Sequence, residues 1–454
     1  MPINNLPAAL QGAIQSGFLE HQFGLPLRAK LGFRDIADKE EFTANLGETI
    51  TKTRTGLLPA VTTAMSPAAN SDLTSGLTAQ NYGIEQYILS IAQYGASMYL
   101  NTVTSRVGIA NFFLRNGYAL GEQAFRSIDT LAQQALFNTY LGGNTRVKTT
   151  LGAAGTTVAV DDIRGFTTTL NTAGQVTAVS SSNPVNVTIG SDVYSLTGYA
   201  ADSTNTSTAP GGVSGTLTFS AAVSVADGTA GVAVVSAVAP YVIRPKTTSG
   251  SIIAPTTLGI SSTNDVNGGR LTMDMILNAK ATMSANGVPV SNSSGMYNLY
   301  LDPIQATGLY SDPAFQQFFR GQQTTEEYRK GIIAEMLGVR LQETNLNPVQ
   351  TLAGVGNVRR AILCGQGALV EGEFTANAYR AALAAEGDED DSISIVEGIA
   401  HVTREPLDAL KQVVTQSWSY IGGFVVPSDT TANPNTIPTA SNAAYKRAIM
   451  LESL

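Results

Sequence analysis

The stretch NTVTSRVGIANFFLRNGYALGEQAFRSIDTLAQQALFNTYLGGN, residues 101–144, organises the reading of the whole chain. Its apolar positions Val107, Ala110, Leu114, Tyr118, Gly121, Phe125, Ile128, Ala132 and Ala135 recur at steps of three and four. That period predicts one amphipathic helix over residues 101–140, on the order of 50–60 Å long if continuous. Gly108, Gly117 and Gly121 lie inside it and each costs about 1 kcal/mol relative to Ala, so a kink or break is expected. Leu141-Gly142-Gly143-Asn144 ends the pattern, with glycine where a helix C-terminus favours it.

Upstream, residues 82–95 read as one strand with Tyr87, Leu89 and Ile91 on one face and Ile88, Ala92 and Tyr94 on the other. Both faces are apolar, which predicts cover on both. Before it, a Thr-rich stretch alternates charge and apolar character at Glu48, Ile50, Lys52 and Arg54. This predicts a two-stranded ribbon with too few apolar residues to stand on its own packing. The first 38 residues carry Leu6, Leu10, Ile14 and Phe18 at helical spacing, then an extended arm.

Downstream the composition changes abruptly. Residues 142–262 hold only about ten charges and are dominated by Thr, Ser, Gly, Ala and Val. Short alternating runs such as Val185-Asn186-Val187-Thr188-Ile189, Thr216-Leu217-Thr218-Phe219 and Val232-Ala233-Val234-Val235 are separated by turn residues. The pattern predicts a small antiparallel, sandwich-like all-β domain inserted into a larger one. Helical and strand patterns then alternate: a helix around Leu271, Met275, Ile276, Ala279 and Met283, a strand over 296–301 closed by Asp302-Pro303, and short helices over 311–319 and 325–337. Ser311-Asp312-Pro313 opens the first of these with a cap and a proline. Strands are expected over 339–343, 359–364 and 393–402, and Trp418, Tyr420 and Phe424 alternate as a core strand.

The composition narrows the function classes. The chain has 454 residues, 43% hydrophobic, enough for two to four domains. Only 14% are charged, against about 25% in ordinary soluble domains. With 27 Lys+Arg against 35 Asp+Glu the net charge is -8, a poor endowment for neutralising phosphates. The single cysteine, Cys364, sits in an apolar run and excludes an internal disulfide. The two histidines, His21 and His401, exclude a histidine-rich metal site, and His401 reads as a strand residue in Ile399-Ala400-His401-Val402. No stretch approaches the ~18–20 apolar residues of a spanning helix, and no N-terminal secretory signal is legible.

Motifs of chemistry are absent where they would be sought. Gly354-Val355-Gly356 and Gly365-Gln366-Gly367 lack the third glycine of a dinucleotide loop, because Arg359 and Val370 stand there, and both read as turns. The acidic run Glu386, Asp388, Glu389, Asp390, Asp391 lacks calcium-loop spacing and reads as a solvated loop. No catalytic, cofactor-binding or metal-binding residues are expected. Basic residues concentrate early, at Arg28, Lys30, Arg34, Lys39, Lys52 and Arg54, interleaved with Asp35, Asp38, Glu40, Glu41 and Glu48. Mixed signs on an arm and ribbon fit charge pairing with a neighbouring subunit.

Arm, Thr-rich ribbon, long strand, long helix and mixed α/β remainder occur in an order that resembles the major capsid proteins of tailed double-stranded DNA phages, of the Hong Kong-type fold. Specific stretches are similar to a podophage-like branch: residues 87–95, Tyr297-Asn298-Leu299-Tyr300-Leu301-Asp302-Pro303 with 309–319, Glu335-Met336-Leu337-Gly338-Val339-Arg340 with Gln342-Glu343-Thr344, and Ala361-Ile362-Leu363-Cys364-Gly365 with Ala368-Leu369.

The resemblance implies an α+β chain divided into an N-terminal arm (1–38), an extended β-ribbon loop (39–80), a peripheral domain with a spine helix (81–141), the inserted β domain (142–262), a mainly axial domain (263–400) and a return to the peripheral domain with a C-terminal segment (401–454). It implies a non-enzymatic shell subunit that associates with itself as hexamers and pentamers, with a separate scaffolding protein and a portal. Such a shell encloses double-stranded DNA without reading its sequence, has no membrane partner, and is assembled in the host bacterial cytoplasm into the virion. Glu48, Lys52, Arg54, Arg28 and Arg34 are the expected assembly contacts. Another structural assembly subunit, of a tail or a surface layer, is the alternative.

Overall fold

The computed structural model describes residues 32–42, 49–55, 84–101, 109–170, 176–209, 212–237, 269–291, 295–319, 335–352, 356–374, 393–404, 412–427 and 447–454, with a few single or paired positions between them, among them Phe23. Two compact units emerge, the first from 1–51, 88–135 and 369–426, the second from 52–87, 136–368 and 427–454.

The first unit is a six-stranded sheet with a helix packed on it. Its strands run in the order Ala37–Phe42, Leu369–Phe374, Val413–Val425, Ile399–Arg404, Ile393–Val396, and Ala92–Asn101 pairs with Val413–Val425 besides. Only Ala37–Phe42 is parallel to its neighbour. Residues 39–42, expected in the ribbon, therefore belong to a sheet. The ribbon strands are Thr49–Thr55 and Ile84–Ser90.

Residues 82–95 are not one strand. The chain leaves the ribbon at Ser90, breaks at Ile91 and enters the sheet at Ala92. Nor are both faces covered: Leu89 is buried while Ile88 is 62% exposed. Residues 393–402 likewise divide, at the turn Glu397-Gly398, where both residues have positive φ.

The helix runs unbroken from Ile109 to Tyr140; Asn101, where its periodicity suggested a start, is instead the last residue of the strand Ala92–Asn101, and residues 102–108, with Gly108, lie outside the described residues. Gly117 and Gly121 are absorbed without a break. Its buried line is Phe113, Leu120, Ala124, Ile128 and Ala132, while Tyr118, assigned from sequence to the core stripe, is 44% exposed. Phe112, Phe113 and Leu114 are all apolar, so a period of 3.6 is satisfied by two adjacent stripes and only the opposing sheet chooses between them. That sheet contributes Trp418, Tyr420 and Ile399 to one cluster with Leu120, Ala124 and Ile128.

In the second unit, the turn Leu141-Gly142-Gly143 leads into six antiparallel strands ordered Asn144–Arg146, Ala233–Ser236, Val185–Ile189, Asp192–Ala201, Gly215–Val223 and Gly155–Val160. Gly143, at φ 75, is packed so closely on Gly165 that a Cβ on Gly165 would overlap the Gly143 nitrogen. The expected sandwich is instead a single sheet closing on itself. Val147 bridges Val160, Lys148 N donates to Ala159 O at 2.8 Å, and Asp161 N donates to Arg146 O at 3.2 Å, which joins the first strand to the last. Closure removes both free edges, and a one-sided alternation such as Val185, Val187 and Ile189 inside with Asn186 and Thr188 outside serves a barrel as well as a sandwich. The barrel interior holds Val158, Val160, Phe166, Leu196, Leu217, Phe219 and Val234. Its last strand ends at Ser236, short of residue 262, and Val242–Ile243 already pairs elsewhere.

That partner is a seven-stranded mixed sheet ordered Val242–Ile243, Ala448–Ser453, Gly356–Cys364, Tyr297–Leu301, Val339–Glu343, Glu335–Met336, with Val349–Leu352 beside Gly356–Cys364. Helices Met273–Ala285, Pro303–Tyr310 and Pro313–Phe319 accompany it. Asp302-Pro303 ends the strand as expected and also starts a helix. The Asp302 side chain accepts from Ile304 N, and Gln305 completes a capping box. Glu335–Met336 is a strand leading into the Leu337-Gly338 turn, which corrects the helix expected through 337; residues 325–334 lie outside the described residues. Two divisions read from sequence differ from the sheets: 369–374 and 393–396 join the first unit before residue 400, and Ala448–Ser453 joins the second.

Candidate functional site

Of the five expected assembly residues, Glu48 and Arg28 lie outside the described residues. Lys52 and Arg54 stand on the ribbon strand Thr49–Thr55, where Lys52 is half-buried. Arg34 has another role from the one expected of it. Its guanidinium turns inward: Nε lies 2.9 and 3.0 Å from the two oxygens of Glu371, Nη2 lies 2.7 Å from Glu371 Oε1, and Nη2 donates to Glu397 O at 2.9 Å. Glu373 lies 3.8 Å from Arg34 and 3.2 Å from Lys39. Tyr420 donates to Glu371 Oε1 at 2.8 Å, and the Arg34 guanidinium carbon sits 5.7 Å from the centre of its ring. Burial, then the Glu371 charge, raises the Tyr420 pKa and keeps the phenol protonated.

Two cations thus face two carboxylates, and one of the carboxylates, Glu371, is wholly inaccessible. Such a self-neutralised cluster fixes structure and offers no charge to a ligand. It fastens the short 3-10 turn Phe33–Ile36 onto the sheet, helped by Asp129 on the helix, whose Oδ1 accepts from Arg34 N at 3.2 Å. Burial pushes the Asp129 carboxyl up to about 6, against the opposing pull of the Arg34 and Phe33 amides.

A second buried network lies in the other unit, where the barrel meets the seven-stranded sheet. Gln350 Oε1 accepts from Arg146 Nη1 at 3.0 Å and from Arg360 Nη2 at 2.7 Å. Glu452 lies 3.1 Å from Arg360 Nε and 3.6 Å from Arg146 Nη2. Thr208 Oγ1 donates to Asp161 Oδ2 at 3.1 Å, with Gln350 Nε2 3.5 Å from that oxygen. Arg146, Asp161, Gln350, Arg360 and Glu452 help to line about 20 Å³ of free volume, room for about one water molecule. Among the described residues no cluster of His, Cys, Asp and Glu has the arrangement of a metal site, and no helix is long and apolar enough to cross a membrane.

Cys364 is buried and its thiol pKa is raised by burial, as an inert core position requires. His401 is also buried, 4.8 Å from the Phe23 ring centre, and burial lowers it to about 4. The Gly365-Gln366-Gly367 turn leaves one strand and enters another, with Gly367 at φ 74. The acidic run at 386–391 lies outside the described residues.

Sequence reasoning missed Glu371, Asp129, Arg146, Gln350, Arg360 and Glu452. A signal existed for some: Arg359-Arg360 and Glu452 interrupt otherwise apolar strand runs, and a charge in a core strand needs a partner.

No protein-family model matches the chain, and no curated protein matches it. Solved structures similar to it include the capsid of Ralstonia phage GP4, at TM-score 0.47 and 12% identity over 92% of this chain and 87% of that one. The capsid of cyanophage P-SCSP1u aligns at TM-score 0.46 and 10% identity, over 94% of this chain and 89% of the other. The cyanophage Pam1 capsid aligns at 0.44 and 13%, over 95% and 91%.

Proposed function

We propose that this chain is the major capsid protein of a tailed double-stranded DNA phage, the subunit that associates with copies of itself into an icosahedral shell. The observation that carries the reading is the order of elements. An extended ribbon, Thr49–Thr55 with Ile84–Ser90, runs through a sheet strand to a single 32-residue helix, and a mixed α/β body follows with a β-barrel spliced in after the helix. The sequence motifs similar to that capsid family fall on regular elements of this body, Tyr297–Leu301, Pro303–Tyr310, Val339–Glu343 and Gly356–Cys364. The charge supports it as well. A net charge of -8 repels densely packed DNA, as the inner wall of a container should, and leaves binding energy to protein contacts.

In this reading the subunit is structural and non-enzymatic, forms hexamers and pentamers, and works with a separate scaffolding protein and a portal in the host cytoplasm. Arm and ribbon make neighbour contacts, with Glu48, Lys52, Arg54 and Arg28 in ion pairs between subunits; Arg34 drops out because its charge is spent inside the chain. The barrel decorates the shell and does not build it.

Negative-stain microscopy of the expressed protein, with and without its neighbouring genes, tests the class: closed shells are expected, and their absence under both conditions overturns it. Lys52→Glu with Arg54→Glu should block or misdirect assembly. Normal particles from that variant remove the ribbon from the interface. Excision of the barrel separates this reading from a tail or surface-layer subunit, which would lose its main body.

A further inference from the structure

The strand Ala92–Asn101 pairs with Val413–Gly422 along its entire length on one side. Among the described residues no strand lies along its other edge. An edge of that length presents a row of backbone N–H and C=O groups ready for another strand, and natural proteins usually guard such edges with lysine, proline, charge or brevity. Here the guard is missing. Ala92-Gln93-Tyr94-Gly95-Ala96-Ser97-Met98-Tyr99-Leu100-Asn101 contains no charged residue and no proline. Tyr99 is 68% exposed, and Met98 beside it is also exposed.

We infer that this edge pairs with the same strand of a second copy of the chain, antiparallel about a twofold axis. The inference deepens the shell reading and rests on it. About a twofold axis the central residue meets its own copy and its neighbours lie close to theirs, so a charge near the centre would face its like; a strand without charge is free of that repulsion. Directly opposed residues in an antiparallel pair share a face, so a self-paired register must be centred on a residue. Centring on Ser97 sets the exposed Tyr99 ring over Gly95 of the other copy, the arrangement in which an aromatic covers a bare glycine. It also sets Ala96 against Met98 and Tyr94 against Leu100, apolar against apolar.

Cysteine cross-linking reads the register. In the full chain under mild oxidation, Ser97→Cys should give a disulfide-linked dimer on a non-reducing gel at least tenfold more abundantly than Gln93→Cys, whose copies would sit about 27 Å apart at 3.4 Å per residue. Native Cys364 is buried and contributes no background. Ser97→Lys, on an exposed position, should leave the melting temperature unchanged and abolish the dimer in sedimentation. Equal linking of both cysteine variants, or of neither, overturns the inference, as does an unaltered dimer in Ser97→Lys. Shells that form without a Ser97→Cys link overturn the pairing and leave the shell reading standing; a linked dimer without shells does the reverse.

Discussion

Arg34 and Glu371, 337 residues apart in the chain, meet with the guanidinium Nε 2.9 and 3.0 Å from the two carboxylate oxygens, and Glu371 has no accessible surface. An ion pair at the surface would be worth little; here removing one partner strands a charge away from water.

Arg34→Ala should therefore cost about 3–5 kcal/mol in chemical denaturation of the isolated chain. Arg34→Lys should recover only part of that loss, since a single ammonium cannot serve Glu371 through two nitrogens and Glu397 O together. Equal stability of the Lys variant and the natural chain would show that charge alone matters at this position.

Asp129 makes stability fall as pH rises. Its carboxyl is raised to about 6 in the fold from 3.8, so between about pH 4 and 6 the folded chain holds more protons than the unfolded one. Asp129→Asn keeps an acceptor for the Arg34 amide and removes the buried charge. It should be more stable than the natural chain above pH 6, by on the order of 2–3 kcal/mol at most, with the advantage vanishing below pH 4. Denaturation midpoints across pH 3–8 check both the sign and the window.

His401 acts with the opposite sign. Its pKa falls from 6.5 to about 4 on folding, so the unfolded chain binds the extra proton and stability is lost as pH drops from about 6.5 towards 4. His401→Asn should remove that acid loss and leave stability rising as pH falls from about 6 to 4, while Asp129→Asn should leave the acid loss unopposed. In the natural chain the two opposed contributions largely cancel between about pH 4 and 6, and each substitution exposes the slope of the other group.

Gln350→Leu takes one acceptor from both Arg146 and Arg360. Hydrogen bonds to charged groups contribute about 1.5–3 kcal/mol each, so a loss in that range or somewhat above is expected. Hydrogen exchange should show added opening in strand Asn144–Arg146, with the far side of the barrel near Asp192–Ala201 unchanged. Uniform loosening of the barrel would contradict a local role.

Gly398→Ala should be worse than its left-handed backbone alone explains. At φ 76 an L residue costs about 1–2 kcal/mol, and the new Cβ would also overlap Glu373 Oε1. Gly287→Ala, at φ 66 with open space around it, isolates the backbone cost. The difference between the two melting shifts measures how firmly Glu373 is held.

Much of this architecture was readable from short-range pattern. Val185–Ile189 folds with the bounds its alternation suggested, and Asp302-Pro303 stops one element because its side chain and ring start the next. The helix was legible in its 3.6 period, and Cys364 and Trp418 in the apolar character of their neighbours. These are local consequences: a period, a cap or a turn depends on residues within one or two turns of chain.

What the tertiary structure alone decided depends on distant residues. Adjacent stripes of the helix both satisfied the period, and the sheet carrying Trp418 and Tyr420 selected the one through Leu120, Ala124 and Ile128. Alternation could not tell a barrel from a sandwich, because the bridge between Val147 and Val160 is a fact of pairing and leaves no trace in either strand. Arg34 looked like a charge for a neighbour until Glu371, Glu373 and Tyr420 surrounded it. Composition had already placed few charges in this chain and spread them thinly; only folding determined which of them neutralise one another inside, because that choice is made by groups hundreds of residues apart meeting where water is excluded.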